Sequence, residues 1–532
     1  MKKLYTIISA ALVSGQLLAG GVLTNTNQSA MFTRMQARDA TLGIDAVYFN
    51  PAGLALLPNN GFYLSLSNQT LGQTRDVNSD YTYLNNADYV GKVFAPSFPG
   101  VYAAYKIDKL VFSAGFNPIG GGGGGTYEDG LPSFEYSISD LVPALASQGA
   151  QDYSMDAYFE GSSAWFGYQA NISYQINDMI SVALGARFVQ AKDTYEGYLK
   201  NVQLNMGGTW MPASIVMQGV AQNFQPGADG TKSIIDYGTS IEQDFGSLTF
   251  AQAEGAGIID AMTRAQLEGG ITQGGGDPSN MTINQANQFY NGAINKYNAT
   301  AQILQDQEAS TEATATGITP IISVNIKAND QLNFSLKYEH QTQLEFTYAT
   351  EKDFTTGFMP NGTPITMFPD GKKYRKDLPS QLVVGATYRP MEKLLISTGY
   401  HMYMDKNADW EGNEDNVKSN LWEIALGLEY NITEKLIGSA GWLKTKSNVE
   451  DAYQSDLSQT MPSNTIAGGF EYKINEKINV NLGGQYTMYA EGEKNFDHDF
   501  ANTGLMVPVK ETYDKDVWIV AVGVNFNFGA GK

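Results

Sequence analysis

Residues 418–446 read KSNLWEIALGLEYNITEKLIGSAGWLKTK, and this stretch shows how much of the chain is built. From Trp422 to Tyr430, apolar residues alternate with polar or small ones, and the alternation resumes after Lys435. A short polar segment, Asn-Ile-Thr-Glu, lies between the two halves. Because successive side chains of a strand point to opposite faces, the pattern predicts a β-hairpin with one apolar and one polar face.

The same turn recurs along the chain. Further copies are Tyr105-Lys-Ile-Asp-Lys-Leu110, Tyr174-Gln-Ile-Asn-Asp-Met179, Tyr388-Arg-Pro-Met-Glu-Lys393, Tyr472-Lys-Ile-Asn-Glu-Lys477 and the looser Ile326-Lys-Ala-Asn-Asp-Gln331. Asn, Asp and Pro favour tight turns, and a tyrosine before the turn suits a membrane–water interface. A soluble sandwich also alternates, but it rarely repeats tyrosine-capped turns at one end only, so we favour a membrane barrel.

The alternation predicts about fourteen strands, at residues 61–74, 97–107, 109–119, 162–176, 178–200, 317–328, 331–349, 379–389, 392–404, 418–431, 434–446, 464–474, 477–490 and 513–528. The six tight turns separate strands 2–3, 4–5, 6–7, 8–9, 10–11 and 12–13, and the other seven connections are long. Short turns at one end and long loops at the other are typical of bacterial outer-membrane barrels. The predicted fold is therefore all-β, a transmembrane antiparallel barrel with its turns and both termini in the periplasm.

The composition excludes several other classes of protein. After the first 20 residues no apolar run is long enough for a spanning helix, and mean hydropathy is −0.26. With 34 basic and 55 acidic residues, the chain lacks the positive charge of a nucleic-acid binder. It has no cysteine, which excludes disulfides, a lipoprotein anchor and thiolate metal sites. Lys2, Lys3 and a short apolar stretch to Val13, with small residues after Leu18, predict a secretory signal peptide at 1–19.

Two segments stand apart from the strands. Residues 20–60 are mostly small and polar, and they are long enough only for a small plug in the barrel, which then comprises residues 61–532. The connection 204–316 is the longest, and in 283–304 apolar residues recur every three or four positions, with a weaker pattern in 250–268. This loop insertion predicts a partly helical extracellular cap.

The segment Asp45-Ala-Val-Tyr-Phe-Asn50-Pro51-Ala52-Gly53-Leu54, just before the first strand, resembles the signature of the FadL/TodX (OMPP1) family of hydrophobic-compound transporters. Phe116-Asn117-Pro118-Ile119-Gly120, at the end of strand 3, resembles the family's Pro-aromatic-Gly, with an isoleucine in place of the aromatic residue. The resemblance implies fourteen strands and an N-terminal hatch in the lumen. It also implies passive uptake of long-chain fatty acids, other lipids or aromatic hydrocarbons, by capture in the loops, binding in the lumen and lateral release beside a kink in strand 3.

That resemblance assigns roles to particular residues. In the loop after strand 7 the apolar residues Phe354, Phe358, Met359, Ile365, Met367 and Phe368 form a candidate capture surface, together with Tyr290 and Tyr297 of 283–304; the alternative is that these residues only pack the loops together. Strand phase turns Arg187 and Lys337 into the lumen, where they could hold a ligand carboxylate or pair with Glu339. Asn50, Pro51, Ala52 and Gly53 would gate the lumen, and Asn117, Pro118 and Gly120 would form the kink.

Three other functions were weighed. A general porin would keep its lumen open, and a structural or adhesive barrel would need no plug. An enzyme is disfavoured because none of His340, His401 and His498 stands near an obvious nucleophile. Alternating Asp405, Asn407, Asp409 and Glu411 suggest calcium, but Trp410 occupies the position where the calcium loop needs glycine, so we predict no metal and no cofactor. The expected partners are a hydrophobic ligand, outer-membrane lipid and lipopolysaccharide, and the barrel-assembly machinery.

Overall fold

Fourteen long strands wind through the computed structural model, which describes residues 29–359, 361–501 and 503–529. The predicted signal peptide lies outside the described residues. The strands are β1 Gly61–Ser79, β2 Asp88–Ile107, β3 Leu110–Tyr127, β4 Ala150–Gln175, β5 Ile180–Met206, β6 Gln307–Lys327, β7 Leu332–Glu339, β8 Gln381–Met391, β9 Leu394–Tyr403, β10 Val417–Asn431, β11 Leu436–Val449, β12 Ser463–Asn475, β13 Ile478–Tyr489 and β14 Leu505–Gly529.

Each strand pairs antiparallel with the next, and β14 pairs with β1 from Gly61–Gly529 to Ser79–Glu511. The sheet is therefore a closed barrel of fourteen strands, as predicted. Closure matters in a membrane because it leaves no strand edge whose backbone groups lack partners. No helix within the described residues is both long and apolar enough to span a membrane.

The two faces of the barrel differ in the way the alternation predicts. Large apolar side chains are exposed on the outer face, with Leu184 at 67% and Ile466 at 52%. Their neighbours one position along the strand are small or polar and buried in the lumen, as Ala183 and Thr465 are. An apolar outer belt is what lipid requires of a spanning barrel.

The two ends of the barrel also differ. At one, called here the turn end, all six predicted tight turns are present, and the tyrosines that precede five of them lie exposed on the outer face: Tyr105, Tyr174, Tyr388, Tyr430 and Tyr472. At the other, the loop end, the seven connections are longer. Four short strands extend the sheet there, Thr209–Pro212, Glu345–Lys352, Lys373–Arg375 and Gly492–Phe500, and a separate hairpin joins Thr355–Phe358 to Pro364–Thr366.

Several strand predictions were wrong at the loop end, where β2 begins at Asp88 rather than 97 and β4 at Ala150 rather than 162. The seventh strand, predicted as continuous over 331–349, is interrupted between Glu339 and Glu345. The sixth begins at Gln307 rather than 317, because β5 and β6 run on past the apolar belt. In that extension Glu308 and Glu312 are partly exposed on the outer face, while Ala309 and Ala313 face inward and are buried. The outer face of this extension meets water, so its outward residues are polar. The sequence there lacks the apolar alternation that predicts the other strands.

The long connection between β5 and β6 forms a cap of four helices, α5 Ala213–Ser240, α6 Phe250–Gly255, α7 Ala261–Gln273 and α8 Ile283–Ile303. The predicted helix at 283–304 is confirmed, whereas 250–268 is divided between two helices. The longest helix, α5, was missed because Pro226 and several glycines lower its intrinsic propensity. Packing stabilises it instead, since the Tyr290 ring lies so close to Gly227 that a β-carbon there would be 2.2 Å from it.

Residues 29–60, called the hatch from here on, fill the lumen. They form two short helices, α1 Ala30–Arg34 and α2 Ala46–Phe49, and a 3₁₀ turn, Pro51–Leu56. Almost every residue between Ser29 and Leu57 is buried, and the charged ones are buried as well. Two further short helices, α3 Pro132–Ser139 and α4 Leu141–Ala144, lie in the loop between β3 and β4.

Candidate functional site

The Asn-Pro-Ala-Gly motif docks the hatch against the barrel wall. Asn50 precedes the 3₁₀ turn and its side-chain oxygen accepts from the Gly53 N–H (3.3 Å), while Pro51 takes the first position, where no N–H is needed. Ser173 Oγ donates to the Pro51 carbonyl (2.6 Å) and Ser181 Oγ to that of Ala52 (2.7 Å). Because the serine side chains are short, the backbone of the hatch and the barrel wall lie close together at this turn.

Gly53 permits this close approach. A β-carbon at this position would lie 2.5 Å from Asn50 Nδ2 and 3.1 Å from Leu42 Cδ2. On the far side of the turn, the Ala52 N–H donates to Ser323 Oγ (2.9 Å). Serines on three consecutive strands, β4, β5 and β6, thus hold one turn of the hatch.

Arg187 and Lys337 lie together in the lumen, and both contact Glu339. The Arg187 guanidinium grips this carboxylate with two nitrogens (2.7 and 2.9 Å), and Lys337 Nζ is 2.7 Å from it. Tyr48 of the hatch lies between the cations, its ring centroid 4.6 Å from Arg187 Cζ and 4.8 Å from Lys337 Nζ. The cluster holds two cations and one carboxylate, so ion pairing with Glu339 leaves one positive charge in excess.

A continuous series of aromatic rings runs from the loop end down to this level. In order it comprises Phe134, Phe159, Tyr195, Phe368, Tyr348, Tyr374, Phe346 and Trp165, with neighbouring ring centroids 4.9–6.2 Å apart. All eight side chains are buried. We call this series the aromatic column. It forms a closely packed series of aromatic side chains on the inner side of the barrel.

One ion pair is buried within the aromatic column. Lys376 Nζ lies 2.8 Å from Asp193 Oδ2, and the ammonium is 5.1 Å from the Trp165 ring and 5.7 Å from that of Phe346. Asp193 also accepts hydrogen bonds from Trp165 Nε1 (2.9 Å) and Ser163 Oγ (2.6 Å). Sequence reasoning missed this pair, although Asp193 has the same inward phase on β5 as Arg187.

The predicted capture residues are divided between two surroundings. Phe368 is fully buried in the aromatic column, and Phe354 contacts its upper end, 6.0 Å from Phe134. Tyr290 is buried within the cap, where its hydroxyl donates to the Leu267 carbonyl. Phe358, Ile365, Met367 and Tyr297 are partly buried, and α8 lies against the Thr355–Phe358 strand. Of the candidates only Met359, 50% exposed, is open to solvent.

The pairing between β2 and β3 is interrupted in the barrel wall. Between the Lys92–Thr126 pair and the Val101–Phe116 pair, the described residues of β2 and β3 do not pair with each other. Pro96 and Pro99 on β2 and Pro118 on β3 fall in this stretch. Each proline lacks the backbone N–H that a ladder needs. We call this stretch of residues 93–100 and 117–125 the wall gap.

The residues predicted to form a kink lie at the wall gap. The pairing of β3 with β4 shifts register between Pro118 and Gly120, and again beyond Gly121. Gly121 has φ +100°, and a β-carbon there would lie 2.2 Å from the Ser163 carbonyl oxygen. Gly120 pairs with Trp165, so the lower end of the aromatic column lies at the level of the wall gap.

A polar cavity of about 460 Å³ opens below the hatch at the turn end. Arg34 and Arg38 line it and are held by acids, with Arg34 2.9 Å from Glu429 and Arg38 2.7 Å from Asp45. The contact with Glu429 attaches the first half of the hatch to the wall, whereas the Arg38–Asp45 pair lies within the hatch.

The acidic loop after β9 does not assemble a calcium site. Asp405 is buried and accepts from the Leu421 N–H (3.0 Å), whereas Asn407 and Glu411 are exposed. Within the described ranges, no group of three or more His, Asp or Glu side chains is placed to hold a metal ion. Among the histidines, His401 contacts Asp39 and Glu423, His498 contacts Asp140, and His340 contacts Tyr338.

Comparison with solved structures supports the fold. A Pseudomonas aeruginosa FadL homologue matches with a TM-score of 0.59 at 12% identity, over 96% of this chain and 100% of that chain. The deltaS2S3 mutant of TodX, a monoaromatic hydrocarbon channel, matches with a TM-score of 0.54 at 12% identity, over 95% and 100%. No family model and no curated protein sequence matches the chain. The predicted FadL/TodX-type fold is thus confirmed by structure alone.

Proposed function

We propose that this barrel carries hydrophobic molecules passively across the outer membrane. The observation that carries the proposal is the aromatic column, because it leads from the loop end to the wall gap through a lumen filled by the hatch. A porin needs an open, water-filled lumen, and the described hatch residues occupy that space. The neighbours of similar fold, a FadL homologue and a monoaromatic hydrocarbon channel, support transport of this class.

The proposed route has three steps. Apolar molecules are captured among the loops that carry Phe354 and Met359, pass beside the aromatic column, and leave sideways through the wall gap into the hydrocarbon of the membrane. Lateral release suits such a solute because it never has to enter water on the far side. The turn end, where β14 ends at Gly529, faces the periplasm in this proposal, and the loop end meets the lipopolysaccharide leaflet after assembly into the membrane.

The direct test is uptake by cells with and without the protein, using a labelled long-chain fatty acid, a labelled monoaromatic hydrocarbon and a small labelled sugar. We expect faster entry of at least one hydrophobic solute and no change for the sugar. Faster sugar entry would make the protein a porin. An unchanged rate for all three would remove the transport proposal and leave a structural or adhesive barrel.

The wall gap is tested separately by restoring ladder donors. Replacing Pro99 and Pro118 together by valine supplies two backbone N–H groups and two residues that favour strands. We expect slower uptake of the hydrophobic solute at unchanged amounts of folded barrel. Pro508→Val, at an exposed position of β14 near the loop end, is the matched control and should leave uptake unchanged. Full uptake by the double variant would argue against lateral release.

A further inference from the structure

Two lysines stand next to each other on the outer surface of β11. Lys444 and Lys446 are both exposed, and being two residues apart on one strand they point the same way, about 7 Å apart. Neither takes part in any ion pair or hydrogen bond among the described residues. Two like charges this close on one face repel each other unless an anion lies between them.

The strands on either side supply no such anion. On β10, Lys444 is paired with Ile424 and Lys446 with Trp422, and on β12 Lys444 is paired with Asn464. Other outward lysines near the loop end do meet carboxylates. These pairs are Lys192–Glu312, Lys373–Glu345 and Lys418–Glu450. Although the chain as a whole has a net charge of −21, no acidic residue that the structure describes is paired with these two lysines, so this part of β11 is locally positive.

The depth of the two lysines matches a lipid headgroup. Trp442, two residues nearer the turn end on the same face, is paired with Leu426 on β10 and Ile466 on β12. Those two side chains are 48% and 52% exposed and belong to the apolar belt. Lys444 and Lys446 are therefore the first polar positions above the belt, where headgroups begin and where aromatic rings such as Trp422 and Trp442 are favoured.

We propose that Lys444 and Lys446 bind the phosphate of a lipid, with the lipid's acyl chains lying over Leu426, Trp442 and Ile466. Ammonium groups donate charge-assisted hydrogen bonds to phosphate oxygens, and a single phosphate between the two lysines neutralises their repulsion. With the orientation proposed above, the leaflet at the loop end is the outer one, and the lipid is the phosphorylated glycolipid of that leaflet. A phospholipid headgroup carries the same chemistry.

Native mass spectrometry of the barrel in nanodiscs of neutral lipid tests this site. The probes are bisphosphorylated lipid A, dephosphorylated lipid A and phosphatidylglycerol. In the Lys444→Gln/Lys446→Gln variant we expect binding of bisphosphorylated lipid A to weaken by about 30-fold, from the contribution of each lysine at a charged membrane surface. The binding of dephosphorylated lipid A should be the same in the variant and the native barrel. An equal loss for phosphatidylglycerol would identify the lipid phosphate as the recognised group, and a loss for lipid A alone would identify the glycolipid.

Lys192→Gln is the matched control, because Lys192 is also exposed on the outer face but is paired with Glu312. Folding of every variant is checked by its heat-modifiable mobility in gels. Equal lipid A binding by the double variant and the native barrel, or an equal loss in the Lys192→Gln control, would overturn the proposal. The measurement involves no transport and no defined orientation, so it is independent of the uptake experiments.

Discussion

The Lys376–Asp193 ion pair is buried within the aromatic column, beside the rings of Trp165 and Phe346. Lys376 precedes β8 in the loop region, and Asp193 lies on β5, so the pair joins two parts of the chain that are distant in sequence. Both side chains are at most 3% exposed. Lys376→Met keeps most of the aliphatic stem but leaves Asp193 as a buried carboxylate with only two neutral donors, Trp165 and Ser163.

The expected loss follows from that uncompensated charge. Removing one partner of a buried ion pair costs about 3–5 kcal/mol, whereas removing both charges together is often close to neutral. Adding Asp193→Asn to Lys376→Met keeps an oxygen acceptor for Trp165 and removes the charge. The double variant should therefore recover about 2 kcal/mol or more, a coupling that a double-mutant cycle measures.

Urea unfolding in lipid vesicles gives the free energies, and hydrogen exchange of residues 372–380 reports whether the loop detaches locally. We expect Lys376→Met to unfold at lower urea and to exchange faster in this segment. Additive effects of the two substitutions, or a loss below about 1 kcal/mol for Lys376→Met, would show that the pair is open to water and would refute the argument.

Three further outcomes follow from the packing and the charges. Gly53→Ala should lower the free energy of unfolding by about 1–3 kcal/mol, because the added β-carbon would clash with Asn50. Gly219→Ala is the control and should not lower it, because there is open space around Gly219; urea midpoints of the two variants are compared. Phe368→Ala should cost about 3–5 kcal/mol and Phe358→Ala less than about 1, since only Phe368 is fully buried; equal losses would contradict the aromatic column. Burial raises the pKa of Asp405 to about 7, so protection of its loop against hydrogen exchange should be highest below about pH 4 and fall as the pH rises towards 7; Asp405→Asn should remove this dependence.

The barrel could be predicted from the sequence because lipid imposes a strict rule on each strand. Where the outer face of a strand contacts hydrocarbon, as from Trp422 to Tyr430, every second residue must be apolar. This alternation can be recognised in the sequence. Beyond the belt the outer face meets water and the rule no longer applies, so the sequence predicts a loop over the first ten residues of β6. The cap follows tertiary packing rather than propensity, and the Gly227–Tyr290 contact that orders α5 leaves no periodic signal.

The candidate site was predictable only in part, for the same reason. Strand phase placed Arg187 and Lys337 in the lumen, and their pairing with Glu339 was one of the two alternatives it left open. Lys376 lies in a connection without periodicity, so nothing in the sequence indicated which way it points. The wall gap could be predicted from the sequences of both strands, because Pro96 and Pro99 of β2 disfavour ladder pairing as much as Pro118 of β3 does.

The two halves of the hatch are held by different chemistry, and this sets which half can move. Residues 30–45 contain Arg34, Arg38, Asp39 and Asp45, whose buried ion pairs reach Glu429, Glu471 and His401. Residues 46–56 contain no charged side chain, and the wall holds them by hydrogen bonds to their backbone, worth about 0.5–3 kcal/mol each. Val47, beside Gly115 and Tyr102, and Tyr48, between Arg187 and Lys337, belong to this second half.

We therefore expect ligand-driven movement to be confined to residues 46–56. Spin labels at Leu56 and at Leu42, which are partly exposed, are each paired with a label on the outer face of β4 and distinguish the two halves by pulsed distance measurements. Adding a hydrophobic solute should broaden or shift the Leu56 distance and leave the Leu42 distance unchanged. Equal shifts of both would mean that the hatch moves as one body and that its ion pairs with Glu429 and Glu471 break during transport.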